Sequence, residues 1–204
     1  LTPSRSAFTE CAATRSPTHL ARAYGLQRRN IMRAFFYVDG IPTKGIWLDI
    51  EYISDFDEVL EALANDNLIP RNGDDEPEYG GDVLVSDIEG DLPRQFYTSS
   101  LDAFDLSGFI ECRDDCDNNR IDYDAAAAYL EWSNGPWSLD SFQDAYRGEA
   151  ENETEYAENY ADEVGLLESI PDHLRCYFDY EAFGRDLFIN DLYLHNGYVF
   201  DRNC

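Results

Sequence analysis

Forty-two carboxylates against fifteen lysines and arginines constrain this chain more than any other feature, because the same sequence also carries 14 Tyr, 12 Phe and 3 Trp. An unpaired buried charge is costly, so a fold built from these residues must bury its aromatics and leave its acids in water. Disordered acidic tails do not carry aromatics at this density. The acid is therefore expected to lie over a folded scaffold rather than to replace one.

The charge is unevenly placed. Residues 1–31 hold Arg5, Arg15, Arg22, Arg28 and Arg29 against the single acid Glu10, which leaves 10 basic and 41 acidic residues in 32–204, a net charge of −31. The first stretch is rich in Ser, Thr, Ala and Arg, lacks the apolar run of a secretory signal, and precedes Met32, the only methionine. It is read as a basic extension outside the fold, the expectation being translated sequence upstream of the start. The apolar runs are only a few residues long, against the ~20 that a spanning helix needs. No membrane association is expected. Five cysteines at scattered spacings (Cys11, Cys112, Cys116, Cys176, Cys204) do not describe a disulfide framework, so a cytoplasmic location is expected.

Residues 32–91 read as an amino-terminal α+β unit. Arg33–Val38 and Gly45–Ile50 are expected strands, and a helix follows with Ser54 as cap and Phe56, Val59, Leu60 and Leu63 on one face. Residues 70–81 form a loop by composition, and Asp82–Ile88 returns as a strand. Residues 92–148 read as a helical middle unit, with Leu101, Phe104 and Phe109 in a first segment, Asp124–Trp132 in a second and Leu139–Tyr146 in a third. In 149–204, Glu153–Val164 places Tyr156, Ala157, Tyr160, Ala161 and Val164 on one stripe and stops at Gly165. Pro171 is expected to open another helix lined by Leu174, Tyr177, Phe178 and Ala182. Leu187–Leu194 and Tyr198–Asp201 then flank the hairpin signal His195-Asn196-Gly197. The expected fold class is α+β, an elongated chain of three small domains.

The constellations that could carry chemistry fail. Asp115, Asp117 and Asn119 match the first ligand positions of a calcium loop, but Arg120 stands where glycine is required and Ala126 where the bidentate glutamate belongs. Cys112 and Cys116 have one-turn spacing without a second Cys or His pair, which disfavours zinc and leaves buried or idle thiols. His19, His173 and His195 offer little for a triad, and no nucleophile elbow, Walker loop or dinucleotide fingerprint occurs. No enzyme activity, metal or cofactor is expected. Nucleic acid is disfavoured as a partner as well, since a duplex carries one negative charge per ~1.7 Å and would be repelled. A basic partner is favoured. At that spacing 31 charges correspond to about 53 Å of duplex, or about 16 base pairs.

Several stretches are distinctive. Tyr146-Arg147-Gly148-Glu149, Ala161–Leu167, Ile170-Pro171 and the run Tyr177–Leu187 resemble the ArdA family of antirestriction proteins, and Gly45–Asp49 with the acidic helix after it is similar to that family's amino-terminal region. The resemblance is densest from about 146 to 200 and looser over 66–145. It implies an elongated three-domain homodimer that imitates bent duplex DNA and occupies the DNA-binding groove of type I restriction-modification enzymes, carried on plasmids and transposons. The carboxylates where resemblance and charge coincide are Glu149, Glu151, Glu153, Glu155, Glu158, Asp162, Glu163, Asp172, Asp179, Glu181 and Asp186. Arg185-Asp186 is read as a candidate internal pair. Two other classes remain open: a haloadapted protein, which the single lysine Lys44 suits, and an acidic adaptor or chaperone for another basic partner.

Overall fold

A computed structural model describes residues 32–40, 44–97 and 104–204. The basic extension and Leu101 lie outside the described residues. The fold class is α+β.

Strands β1 (Arg33–Val38), β2 (Gly45–Asp49) and β3 (Val83–Glu89) form an antiparallel sheet of order β2-β1-β3. Alternation decides its faces: Ala34 and Phe36 of the central strand are buried. Phe35 pairs with Asp87 and Phe36 with Val85, so Ser86 is an extra residue that bulges the edge strand β3. A 3-10 turn (Ile50–Tyr52) leads from β2 into helix α1 (Phe56–Asn65). Its cap is Asp55, not Ser54. The Asp55 carboxylate accepts from the Glu58 amide at 3.1 Å, while Glu58 reaches back to accept from the Ser54 amide at 3.2 Å. This capping box displaces the start by one residue. Val59 and Leu63 of α1 are wholly buried, whereas Phe56, expected in the same stripe, sits on the open first turn and is 44% exposed.

In the middle segment, Phe104 is extended rather than helical, bridging to Tyr97, and Asp105 caps helix α2 (Leu106–Asn119) by accepting from the Gly108 amide at 2.9 Å. Helices α3 (Tyr123–Ser133) and α4 (Leu139–Ala145) follow. Tyr146–Glu149 is strand β4, which the expected helix and loop had absorbed. Four residues with a left-handed Gly148 (φ 123°) carry no period-2 signal, so only pairing with a distant strand defines them.

The carboxyl-terminal segment contains α5 (Glu153–Glu163), a single turn α6 (Asp172–Arg175), α7 (Tyr180–Asn190), and strands β5 (Leu192–His195) and β6 (Tyr198–Asp201) in a sheet of order β4-β6-β5. Two expectations are corrected. The helix opened by Pro171 ends within one turn, because the Asp179 side chain caps a new helix at the Ala182 amide, 2.9 Å away. Leu174 and Tyr177, expected on an apolar stripe, are exposed. Likewise Leu187–Asn190 belongs to α7, and the hairpin begins only at Leu192. Its turn is the expected one, with Asn196 (φ 50°) and Gly197 (φ 88°) both left-handed.

Strand β6 joins two apolar clusters. Tyr198 and Phe200 belong to a continuous core running from Met32 to Ala145, while Val199, on the opposite face, packs with Ala150, Tyr156, Phe188 and Leu192. The half-buried Trp132 of α3 lies stacked on Phe200 (centroids 5.2 Å, 8°) and on Tyr193 (6.2 Å, 23°), which pins the middle helices against the carboxyl-terminal sheet. Glu131 adds hydrogen bonds with His195 at 3.1 Å and Asn196 at 3.0 Å.

Candidate acidic interface of the carboxyl-terminal helices

The packing of α7 against α5 depends on one glycine. A Cβ at Gly184 of α7 would lie 2.7 Å from the Glu153 carbonyl oxygen and 3.3 Å from the Ala157 Cβ, so α7 can sit against the first turns of α5 only because that atom is missing. Ala157 and Ala161 of α5 are buried, and Tyr156 meets Phe188 of α7 edge to face at 5.5 Å. With this face consumed, the acids of α5 must point elsewhere.

Of the eleven acids singled out in the sequence, Glu155 is half-buried and the other ten are exposed. Glu155 has a local structural role: its carboxylate accepts from the Glu151 amide at 2.7 Å, while its own amide donates to the Asn152 side chain at 2.9 Å. Glu155, Glu158 and Asp162 fall at i, i+3 and i+7, a stripe along α5 separate from the buried face of Ala157 and Ala161. Glu151 lies before this helix, while Glu153 and Glu163 stand at its ends. Glu149 is at the end of β4, paired in register with Tyr198. Asp172 lies 3.5 Å from Arg175, Asp179 is the α7 cap, Glu181 is in the first turn of α7, and Asp186 lies further along it. Arg185 makes no ion pair with Asp186 or another acid among the described residues. The structure thus brings most of these carboxylates onto two packed helices and gives Glu155, Asp172 and Asp179, among others, local bonds besides.

Charge density limits what one helix can do. Acids at i, i+3 and i+7 recur about every 5 Å along an α-helix, against one charge per ~1.7 Å of duplex axis. Several elements are needed to reach that density, and acids occur on the others too: Asp57 and Glu58 of α1, Glu111 and Asp117 of α2, and Asp140 and Asp144 of α4 are all exposed. Several of the arginines are bonded within the chain, while Arg94, Arg120 and Arg185 are exposed as the acids are. Arg71 is held by Glu61 at 2.8 Å, Arg113 by three backbone carbonyls and Asp114, Arg147 by Asp201 at 2.9 Å, and Arg202 by the Leu192 carbonyl at 2.7 Å with its guanidinium over the Tyr193 ring.

Residues that seemed able to do chemistry have other partners. Asp115 lies within the helix α2 instead of a ligand loop, and its carboxylate accepts from the Trp137 indole at 2.9 Å. Cys112 and Cys116 are buried one turn apart on the same helix, and the contact between the two thiols together with burial pushes the Cys112 thiol far above its usual range. No group of three His, Cys, Asp or Glu able to hold a metal occurs among the described residues, and no helix among them is long and apolar enough to cross a membrane.

Sequence reasoning missed the exposure of Tyr177, which it placed inside the fold and which is 81% exposed, together with that of Val164, Leu166 and Leu174. The signal available was Asp179, a capping residue two positions after Tyr177, which ends any helical stripe there.

A protein with a continuous core and carboxylates exposed along most of its helices is an acidic-surfaced α+β protein in build. The family model for antirestriction protein (ArdA) matches residues 37–200, and the chain belongs to that family. A search of curated proteins finds no match. Membership supports an antirestriction function directed at type I restriction-modification enzymes; the family is one of inhibitors, not of known enzymes.

Proposed function

We propose that the protein is a DNA mimic that occupies the DNA-binding groove of a type I restriction-modification enzyme and excludes DNA competitively, protecting incoming mobile DNA in a bacterial cytoplasm. The observation that carries this reading is the excess of exposed acid: carboxylates stand exposed on α1, α2, α4, α5 and α7, far outnumbering the exposed arginines, and Arg71, Arg113, Arg147 and Arg202 are bonded within the chain. A folded array of carboxylates presents its charge already in place, without the cost of bending a duplex. The segments 32–91, 92–148 and 149–204 are proposed to succeed one another along an elongated array.

The test is plating efficiency of unmodified phage on cells with an active type I system, with and without the full chain. Raised plating supports the reading; unchanged plating despite good expression overturns it. Haloadaptation predicts a chain that needs molar salt to fold, and a mimic folds without it. A homodimer is proposed as the working form, supported by the exposed apolar residues Tyr160, Val164, Leu166, Leu174 and Tyr177. Sedimentation should show a dimer that Tyr177→Glu weakens, and a monomer at all concentrations would remove that part of the proposal.

A further inference from the structure

We propose that Arg113 is a positioning residue for the acidic array, one that sets the orientation of the amino-terminal acidic helix α1 relative to the rest of the surface. The inference rests on the DNA-mimic reading. Arg113 is on α2, its side chain is 12% exposed, and its Nη1 lies 3.3 Å from the carbonyl of Ile50, 2.9 Å from that of Glu51 and 2.7 Å from that of Ile53. Its Nε and Nη2 donate to one carboxylate oxygen of Asp114 at 2.9 and 2.7 Å, which fixes the plane of the fork.

These three carbonyls belong to the 3-10 turn and the residue after it, the short link that carries the chain from β2 into α1. Shared apolar packing between the first sheet and α2 is tolerant of small rotations, since it has no direction. A guanidinium bonded to successive carbonyls is directional, and a lysine could offer only a point charge there. Helix α1 has ten residues, about 15 Å, so a tilt of about 15° displaces its far end by about 4 Å. That displacement is enough to take a carboxylate out of hydrogen-bond reach of a cation on the partner. Arg113 itself faces into the protein, so its effect on inhibition is exerted through the placement of Asp66, the exposed carboxylate at the far end of α1, and not through contact.

The experiment compares the full chain with its Arg113→Met and Arg113→Lys variants, each with Cys11, Cys176 and Cys204 replaced by serine and nitroxides attached at Asn65→Cys, at the far end of α1, and Asn159→Cys of α5, diluted with unlabelled protein. The readouts are circular dichroism, the distance distribution between the labels, and inhibition of cleavage of unmodified DNA by a type I enzyme. The expected result for Arg113→Met is native helix content, a broadened distribution and inhibition weaker by about tenfold, with Arg113→Lys intermediate in both. Inhibition unchanged despite a broadened distribution overturns the proposal, as does inhibition lost while the distribution stays that of the parent. If Arg113→Met does not fold, the same two comparisons on Arg113→Lys decide. A parent chain that fails to inhibit removes the mimic reading and this inference together, whereas a parent that inhibits no better than a broadened Arg113→Met removes only the inference.

Discussion

At the scale of single residues, Gly184 and Tyr198 are held by different physics. A methyl group at Gly184 meets backbone, the Glu153 carbonyl, which cannot swing aside as a side-chain terminus would. Gly184→Ala should therefore cost about 1–3 kcal/mol, seen as a lower urea midpoint with unchanged slope, and a midpoint at or above that of the parent would show that α5 and α7 can separate cheaply. Tyr198 is buried, and its hydroxyl donates to Asp122 at 3.2 Å; burial and that neighbouring carboxylate both raise its ionisation well above the usual tyrosine range. Burial, then Glu149 and Asp122, push Tyr146 up to about 12. For a group that must lose a proton to become charged, a raised folded value means stability that is complete below about pH 10 and lost as pH rises through the folded value. Thermal stability should accordingly fall above about pH 10, and Tyr198→Phe should flatten that fall while costing about 0.5–1.5 kcal/mol near neutrality for the missing hydrogen bond. A fall of equal steepness in the variant would place the alkaline transition elsewhere.

At the scale of elements, the α5 stripe separates two roles that sequence alone cannot distinguish. Glu155, Glu158 and Asp162 look equivalent by spacing, yet only Glu155 has a backbone amide to accept from. Glu158→Gln and Asp162→Asn remove repulsion between neighbours and should raise stability by a few tenths of a kcal/mol each, whereas Glu155→Ala should lower it by about 0.5–1 kcal/mol through loss of the cap. In inhibition assays the grouped replacements should weaken binding gradually, in proportion to the charge removed. An all-or-none loss from one residue would mark a discrete contact in place of a summed field. The same contrast explains what was legible in the sequence. Strands β1 to β3, helices α1, α3 and α5 and the Asn196-Gly197 turn follow from period, cap and turn chemistry, which are local. Strand β4 was not legible, since it exists only by pairing with β6, and the break at Asp179 was missed, since it turns on one side chain choosing a cap over a helix interior. For the candidate site, the exposure of the eleven acids was largely readable, Glu155 excepted. The exposed Tyr177 was passed over although the Asp179 cap beside it was a local signal, whereas the bonding of Arg113 to the carbonyls of Ile50, Glu51 and Ile53 was not legible, because a distant segment supplies them.

At the scale of the whole molecule, a net charge of −27 makes salt act in opposite directions on folding and on binding. The folded state brings carboxylates closer together than the unfolded chain does, so self-repulsion subtracts from stability, and shortening the screening length from about 30 Å at 0.01 M to about 10 Å at 0.1 M relieves it. Melting temperature should rise over that interval. Attraction to a basic groove is screened by the same ions, so inhibition should weaken as salt increases. The slope of that loss is informative in itself. DNA binding releases counterions condensed on the duplex, with a logarithmic slope of about −0.9 per phosphate contacted. On this protein the acids of a single helix are about 5 Å apart, and condensation is weaker where charge is sparser. Inhibitor binding should therefore lose affinity with salt less steeply than DNA binding to the same enzyme, and the inhibitor should compete best near and above physiological ionic strength. Measuring both constants from 0.05 to 0.5 M salt tests this. A slope as steep as that of DNA would mean that the carboxylates of the assembled surface lie as densely as phosphates, and a chain that melts at the same temperature throughout would mean that its acids are too far apart to repel one another at all.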